Sequence, residues 1–209
     1  MEKCTLCDSR RARRNCPALG QIICPQCCGS KREETISCPF ECVYLTEGRA
    51  HEQLVQIAPE QFPNRDVRID DDFLKQNQAL LTFCGSNLYL ASVEVPGVLD
   101  VDVRETLEAV IAKHKTSLVY EPALQNQLAA AVYRNFEIRM DEFRKKLIDY
   151  GGDTAAEALL DQYILRLLVF LQRLAIMNNN GRARGRYFIH FLSDLNRPMS
   201  KPEAMAERQ

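Results

Sequence analysis

The chain has 209 residues, 27 basic and 28 acidic side chains, a formal net charge of -1 and 46% hydrophobic residues. That balance leaves no bulk positive charge to drive nucleic-acid binding, and the apolar content suffices for an ordinary core. The most apolar stretch, Tyr163 to Met177, is broken by Arg166 and Arg173 and is shorter than the ~20 residues of a bilayer crossing, so a soluble chain with no membrane partner is expected.

Every cysteine except Cys84 falls between Cys4 and Cys42. Cys4/Cys7, Cys24/Cys27 and Cys38/Cys42 form pairs two or three residues apart, with Cys16 and Cys28 as single sulfurs. Such a pair can wrap both thiolates round one tetrahedral ion, and these eight sulfurs match two zinc ions. A disulfide framework belongs to secreted chains, yet no basic region, apolar stretch or cleavage site precedes Cys4. Reduced thiols and a cytoplasmic location are therefore expected. Iron–sulfur motifs gather their cysteines into one short run, unlike these separated pairs.

The spacing of residues 1–43 resembles a B-box zinc finger. That resemblance implies an interleaved cross-brace, in which ligand pairs one and three hold the first ion and pairs two and four the second. Cys4 and Cys7 match the first pair, Cys16 the third ligand, and Cys24 and Cys27 the fifth and sixth. Cys38 and Cys42 stand where the family usually has histidines. The position of the fourth ligand is Leu19, which cannot bind zinc. Either Cys28 completes a Cys16/Cys28/Cys38/Cys42 site, or the second site is incomplete.

The segment needs the metal. Its large apolar side chains other than cysteine (Leu6, Leu19, Ile22, Ile23, Ile36, Phe40 and Val43) are too few to offset the entropy of ordering the backbone, whereas a structural zinc contributes on the order of 10 kcal/mol. Four protein sulfurs on each ion leave no position for water, so the expected sites are structural and not catalytic. With eight thiolates and two zinc ions the net charge moves to about -5. Arg10, Arg11, Arg13 and Arg14 are accordingly read as compensating anionic zinc sites, with nucleic-acid binding as the alternative.

After the module, residues 1–45, the stretch Thr46 to Val55 reads as a short connecting helix capped by Thr46, with His51 solvated. Pro59 and Pro63 then interrupt helical periodicity, and 46–69 is assigned as connecting helix and linker. Residues 70–197 read as an all-α domain. Asp70 to Asp72 start a helix carrying Phe73, Leu80, Leu81, Cys84, Leu88 and Ala91, with a candidate break at Gly85-Ser86-Asn87. Asp102 caps a helix bearing Val103, Leu107, Val110 and Ile111.

From about Pro122 to Tyr150, Leu128, Val132, Phe136, Met140, Phe143 and Leu147 recur at helical steps, and Gly151-Gly152 stops that helix. Asp153 or Thr154 caps the next, Ala155 to Met177, with a stripe of Leu160, Tyr163, Ile164, Leu167, Leu171 and Leu174. So short a turn predicts antiparallel packing of the pair. Leu168 and Phe170 lie off the stripe, which predicts a central helix. Asn178 to Gly181 end it. Arg182, Arg184 and Arg186 follow, read either as a solvated turn or as an anion or acidic-partner site ahead of a last helix with Tyr187, Phe188, Phe191 and Leu192. The tail, 198–209, is expected to be disordered.

His51, His114 and His190 fall on separate predicted helices, and no phosphate loop, serine elbow or zincin motif is present. The sequence therefore points to a small zinc-stabilised, B-box or cross-brace-like module followed by an all-α helical bundle. It is read as a non-enzymatic adaptor that binds a protein partner or self-associates, with a zinc-dependent nucleic-acid-binding regulator as the alternative. A ligase-type enzyme is suggested by cross-brace analogy alone.

Overall fold

A computed structural model describes residues 2–116, 123–149 and 154–195, with side chains outside 147–149 and 154–159. The chain opens on a small hairpin in which β1 (Arg14–Cys16) pairs antiparallel with β2 (Gln21–Ile23), Arg14 opposite Ile23. Gly20 makes the reversal, with φ of 62° and its N–H on the Cys16 carbonyl at 2.9 Å. Helix α1 (Pro25–Lys31) begins at Cys24, whose Sγ accepts the Cys27 N–H at 3.3 Å, and Pro25 supplies a preset first-turn φ. Helix α2 (Val43–Arg49) starts directly after Cys42. Thr46 lies inside it and donates its hydroxyl to the Cys42 carbonyl at 3.4 Å, so it is not the expected cap. The buried centre of this region is made of cysteine sulfurs with Ile23, Ile36 and Leu45.

Residues 58–69, expected as a linker, are strapped to the helical core. They contain a single 3-10 turn, Pro59–Gln61, and Val67 and Ile69 pack against the main core. Asn64 donates to Gln172 Oε1 at 2.8 Å, while Arg173 donates to the carbonyls of Asn64 and Val67 at 3.0 and 3.2 Å. Prolines remove helical hydrogen bonds here, and side chains from the helix that follows much later supply replacements.

Asp70 caps α3 (Asp71–Gln76) by accepting the Phe73 N–H at 2.8 Å. The break before α4 (Gln78–Val93) falls at Asn77 (φ -110°, ψ 22°), and α4 runs unbroken through Gly85-Ser86-Asn87. There Asn87 returns its amide to the Phe83 carbonyl at 2.9 Å, and Gly85 lies buried close to Leu171 and Leu192. Asp102 accepts the Leu99 N–H at 2.8 Å in the first turn of α5 (Asp100–Thr116). Helix α6 (Gln127–Asp149) starts later than the expected Pro122, capped by Asn126 Oδ1 on the Leu128 N–H at 3.1 Å.

Helices α4 and α5 form the middle of the bundle. Among the described residues α6 packs on both, and so does α7 (Thr154–Met177). An ion pair from Arg144 to Asp161 at 3.1 Å is a link between those two helices. Helix α7 can serve two neighbours because Ile164, Leu167, Leu168 and Leu171 are all fully buried around its circumference. The expected Gly151-Gly152 stop, the Asp153 or Thr154 cap, Leu147 and the tail from Pro198 lie outside the described residues or side chains.

Helix α8 (Tyr187–Leu195) closes the bundle against α4, and its cap comes from elsewhere in the chain. Asp100 accepts the N–H groups of Phe188 and Ile189, each at 3.0 Å. Burial raises the Asp100 carboxyl to about 6, against the opposing pull of those two hydrogen bonds. Its contribution to stability is therefore full below its unfolded value and is lost as pH rises through about 6. In urea titrations of wild type beside Asp100→Asn, the difference in midpoint should move against the wild type between about pH 4 and about pH 6. A constant difference would refute the assignment.

Candidate metal centre and the seam that holds it

The Sγ atoms of Cys4, Cys7, Cys24 and Cys27 lie within 4.8 Å of one another. A tight turn brings the first two together: Asp8, at φ 47°, sends its N–H to the Cys4 carbonyl at 2.8 Å, and Cys4 N–H reaches the Arg10 carbonyl at 2.8 Å. The first turn of α1 presents the other two. A tetrahedral ion with Zn–S bonds of ~2.3 Å places its sulfurs ~3.8 Å apart, so these residues fit a four-thiolate ion after slight contraction.

Hydrogen bonds and burial act on the four thiols in opposite directions. Hydrogen bonds from the Ser9 side chain, then from the Ser9 and Arg10 backbone, draw the Cys7 thiol down to about 5. The Cys27 N–H lowers Cys24, whereas burial pushes Cys27 itself up to about 12. Four thiols so close cannot all ionise unless a cation joins them. Arg10 supplies part of the compensation, its guanidinium lying 3.8 Å from Cys7 Sγ and 3.9 Å from the sulfurs of Cys24 and Cys27.

Cys16, Cys28, Cys38 and Cys42 are all buried and line one small cavity beside Ile23, Ile36 and Pro39. They are less tightly gathered than the first four. Cys28 Sγ accepts from Arg14 at 3.3 Å, and burial raises Cys38. Leu19 is 38% exposed in the hairpin turn, away from this cavity, so the fold places Cys28 and not Leu19 beside the other three. Of the basic run, Arg10 and Arg14 face sulfur, while Arg11 and Arg13 are exposed.

The loop carrying Arg182, Arg184 and Arg186 closes on the segment between Cys28 and Cys42. Arg182 pairs with Glu52 and donates to the Arg32 carbonyl at 2.8 Å. Arg184 donates from its guanidinium to Ser37 Oγ at 2.6 Å and from its backbone to the Glu33 carbonyl at 2.7 Å. The Arg186 guanidinium lies over the Phe40 ring, 4.3 Å from its centroid. The acidic groups that meet this loop are thus the chain's own.

Sequence reasoning did not single out Glu33, which is the centre of the seam. It is 1% exposed and holds φ of 52° in the turn after α1. Its carboxylate receives Asn180 Nδ2 at 3.0 Å and the Arg186 N–H at 3.2 Å. Arg49, 9% exposed at the end of α2, feels Glu33 and Asp100 electrostatically while its guanidinium nitrogens make no hydrogen bond among the described residues. Within Lys31-Arg32-Glu33-Glu34 nothing marks one acid as buried. A clearer signal was Gly48: any Cβ there would sit 1.4 Å from Arg32 Nη1, so only glycine lets that arginine cross α2 to the Tyr44 carbonyl at 3.1 Å.

The histidines remain apart, His51 exposed after α2, His114 near Asp161 and His190 near Asp194. Among the described residues no helix is long and apolar enough to cross a membrane. Compared with protein-family models, curated proteins and solved structures, the chain finds no match in any of the three.

Glu33→Ala should strand two donors and deprive Arg49 of its largest favourable charge interaction, lowering stability by ~3 kcal/mol in urea titration. Glu34→Ala, which loses one weak contact to the Ala183 N–H at 3.5 Å, should cost about 0.5 kcal/mol or less. Equal losses would show that Glu33 has no special place in the seam.

Proposed function

We propose that this chain is a zinc-stabilised adaptor whose output is a protein-binding surface and whose metal does no chemistry. Cys4, Cys7, Cys24 and Cys27 hold one zinc ion, and Cys16, Cys28, Cys38 and Cys42 a second, in the interleaved order that the B-box resemblance implies. The observation carrying this reading is the tight all-sulfur cluster with Arg10 against it. Sulfur-only sets select soft ions, and four protein ligands exclude a reactive water. When bound, zinc supplies folding free energy and neutralises thiolate charge.

Cys28 supports the second site by lying on the same cavity as Cys16, Cys38 and Cys42. The residues that contact the 180–186 loop lie largely between Cys28 and Cys42, so an ion there would brace the seam as well as the module. Arg14 and Arg10 act as charge partners of sulfur in this reading, which leaves Arg11 and Arg13 as the exposed remainder of the basic run. That remainder is small for phosphate binding, and a protein partner or a second copy of the chain is favoured, in the cytoplasm.

Elemental analysis of purified protein should find two zinc ions per chain, falling to one in Cys28→Ser. A single ion or iron in the wild type would sink the two-site assignment. A partner retained on the immobilised protein should stay bound when salt rises from about 50 to about 200 mM and after nuclease treatment. A steep loss over that range would favour nucleic acid instead.

A further inference from the structure

Among the described residues, helix α7 has more apolar surface than the bundle covers. Phe170, Leu174 and Met177 follow one another at steps of four and three; Leu174 shares the stripe of fully buried Leu167 and Leu171, and to one side of it lie half-buried Phe170 and exposed Met177. Two turns of helix separate the first from the last, ~10 Å. Phe62, Ile69 and Leu74 form the facing wall, contributed by the strapped 58–69 segment and α3. Between them runs an open trough of about 800 Å³, a volume in the range of ligand sites, with Met177 53% exposed.

The charges on its lining divide into engaged and free groups. Arg173 is bonded to the carbonyls of Asn64 and Val67, and Asp70 caps α3 and pairs with Arg166 at 3.3 Å. Arg65 and Arg68 are exposed, and neither guanidinium has a carboxylate partner among the described residues. Asp71 is the one unengaged acid on this lining, so the free charge of the rim is positive.

We infer that this trough docks a short amphipathic helix of a protein partner, with apolar side chains at i, i+4 and i+7 and aspartate or glutamate beside them. The spacing of Phe170, Leu174 and Met177 matches that anchor repeat, and the free arginines match the acids. A fatty acid shares the apolar-plus-carboxylate chemistry, but an acyl chain needs enclosure and this trough is open along its length. The inference rests on the protein-adaptor reading and names its docking face.

The test uses the intact zinc-loaded chain and two fluorescein-labelled helical peptides of ~16 residues. Both carry leucine at i, i+4 and i+7; glutamates flank the leucines in one and lysines in the other. Fluorescence anisotropy should show the glutamate peptide binding at least tenfold more tightly than the lysine peptide. Arg65→Glu/Arg68→Glu should reverse that preference, and Met177→Asp should weaken the glutamate peptide at least tenfold with zinc content and far-ultraviolet dichroism unchanged. Absence of binding by the glutamate peptide, equal binding of the two, insensitivity to the charge reversal, or binding of dodecanoate alone would each overturn the inference. A cellular partner retained in full by Arg65→Glu/Arg68→Glu overturns the trough while leaving the adaptor reading intact.

Discussion

A carboxylate taken out of water must be given donors or a counter-charge, and Glu33 obtains its donors from the other end of the chain and its counter-charge from Arg49 in α2. Its two oxygens receive Asn180 and the Arg186 backbone, its own carbonyl receives the Arg184 N–H, and Arg49 lies close enough to feel its charge. These contacts join a region rich in sulfur and poor in hydrocarbon to a bundle with an ordinary core. Neither side satisfies the seam alone. The loop without Glu33 has N–H groups aimed at nothing, and Glu33 without the loop is a buried ion.

Arginine performs a second, parallel task in the N-terminal region. Arg10 spans three sulfurs of the first cluster and Arg14 reaches Cys28, stacking also over Tyr44 with 4.8 Å to its ring centroid. Guanidinium suits both roles because it is always charged, weakly hydrated and able to donate in several directions at once. The same property lets Arg32 lie across the bare backbone of Gly48 and Arg173 tie down the proline-containing segment. Several irregular stretches are thus held by guanidinium groups as well as by hydrocarbon, as the packing of Val67 and Ile69 on the core shows for the proline-containing segment.

The bundle is organised differently. Helices α4 and α5 supply the middle, and α7 packs against both with side chains from more than half of its circumference. The segment 58–69 covers part of what remains, and the trough along Phe170, Leu174 and Met177 is the part left open. Two peripheral features depend on this arrangement: α8 starts where Asp100 holds its first N–H groups, and the 180–186 loop is placed between α7 and α8 so that it meets Glu33.

The sequence by itself determined the features whose cause is local. Paired cysteines two residues apart can present both sulfurs to one ion by local geometry alone, and the three- and four-residue steps of Val132, Phe136 and Met140 or of Ile164, Leu168 and Leu171 mark helices whatever they pack on. Asp70 is readable as a cap because its donor lies three residues away. What needed the tertiary structure was every contact whose partner is remote in the chain. Cys28 could not be placed on one cavity with Cys16, Cys38 and Cys42 until the hairpin and α1 were positioned. Gly85 looks like a break in sequence, whereas in the fold it is buried within an unbroken α4 facing Leu171 and Leu192. Arg182, Arg184 and Arg186 look solvated in sequence because their carboxylate, hydroxyl and aromatic partners lie some 130 to 153 residues earlier. Glu33 carries no local mark at all: periodicity reports which face of an element is apolar, and a charge buried in a turn belongs to no face, so only the fold decides it.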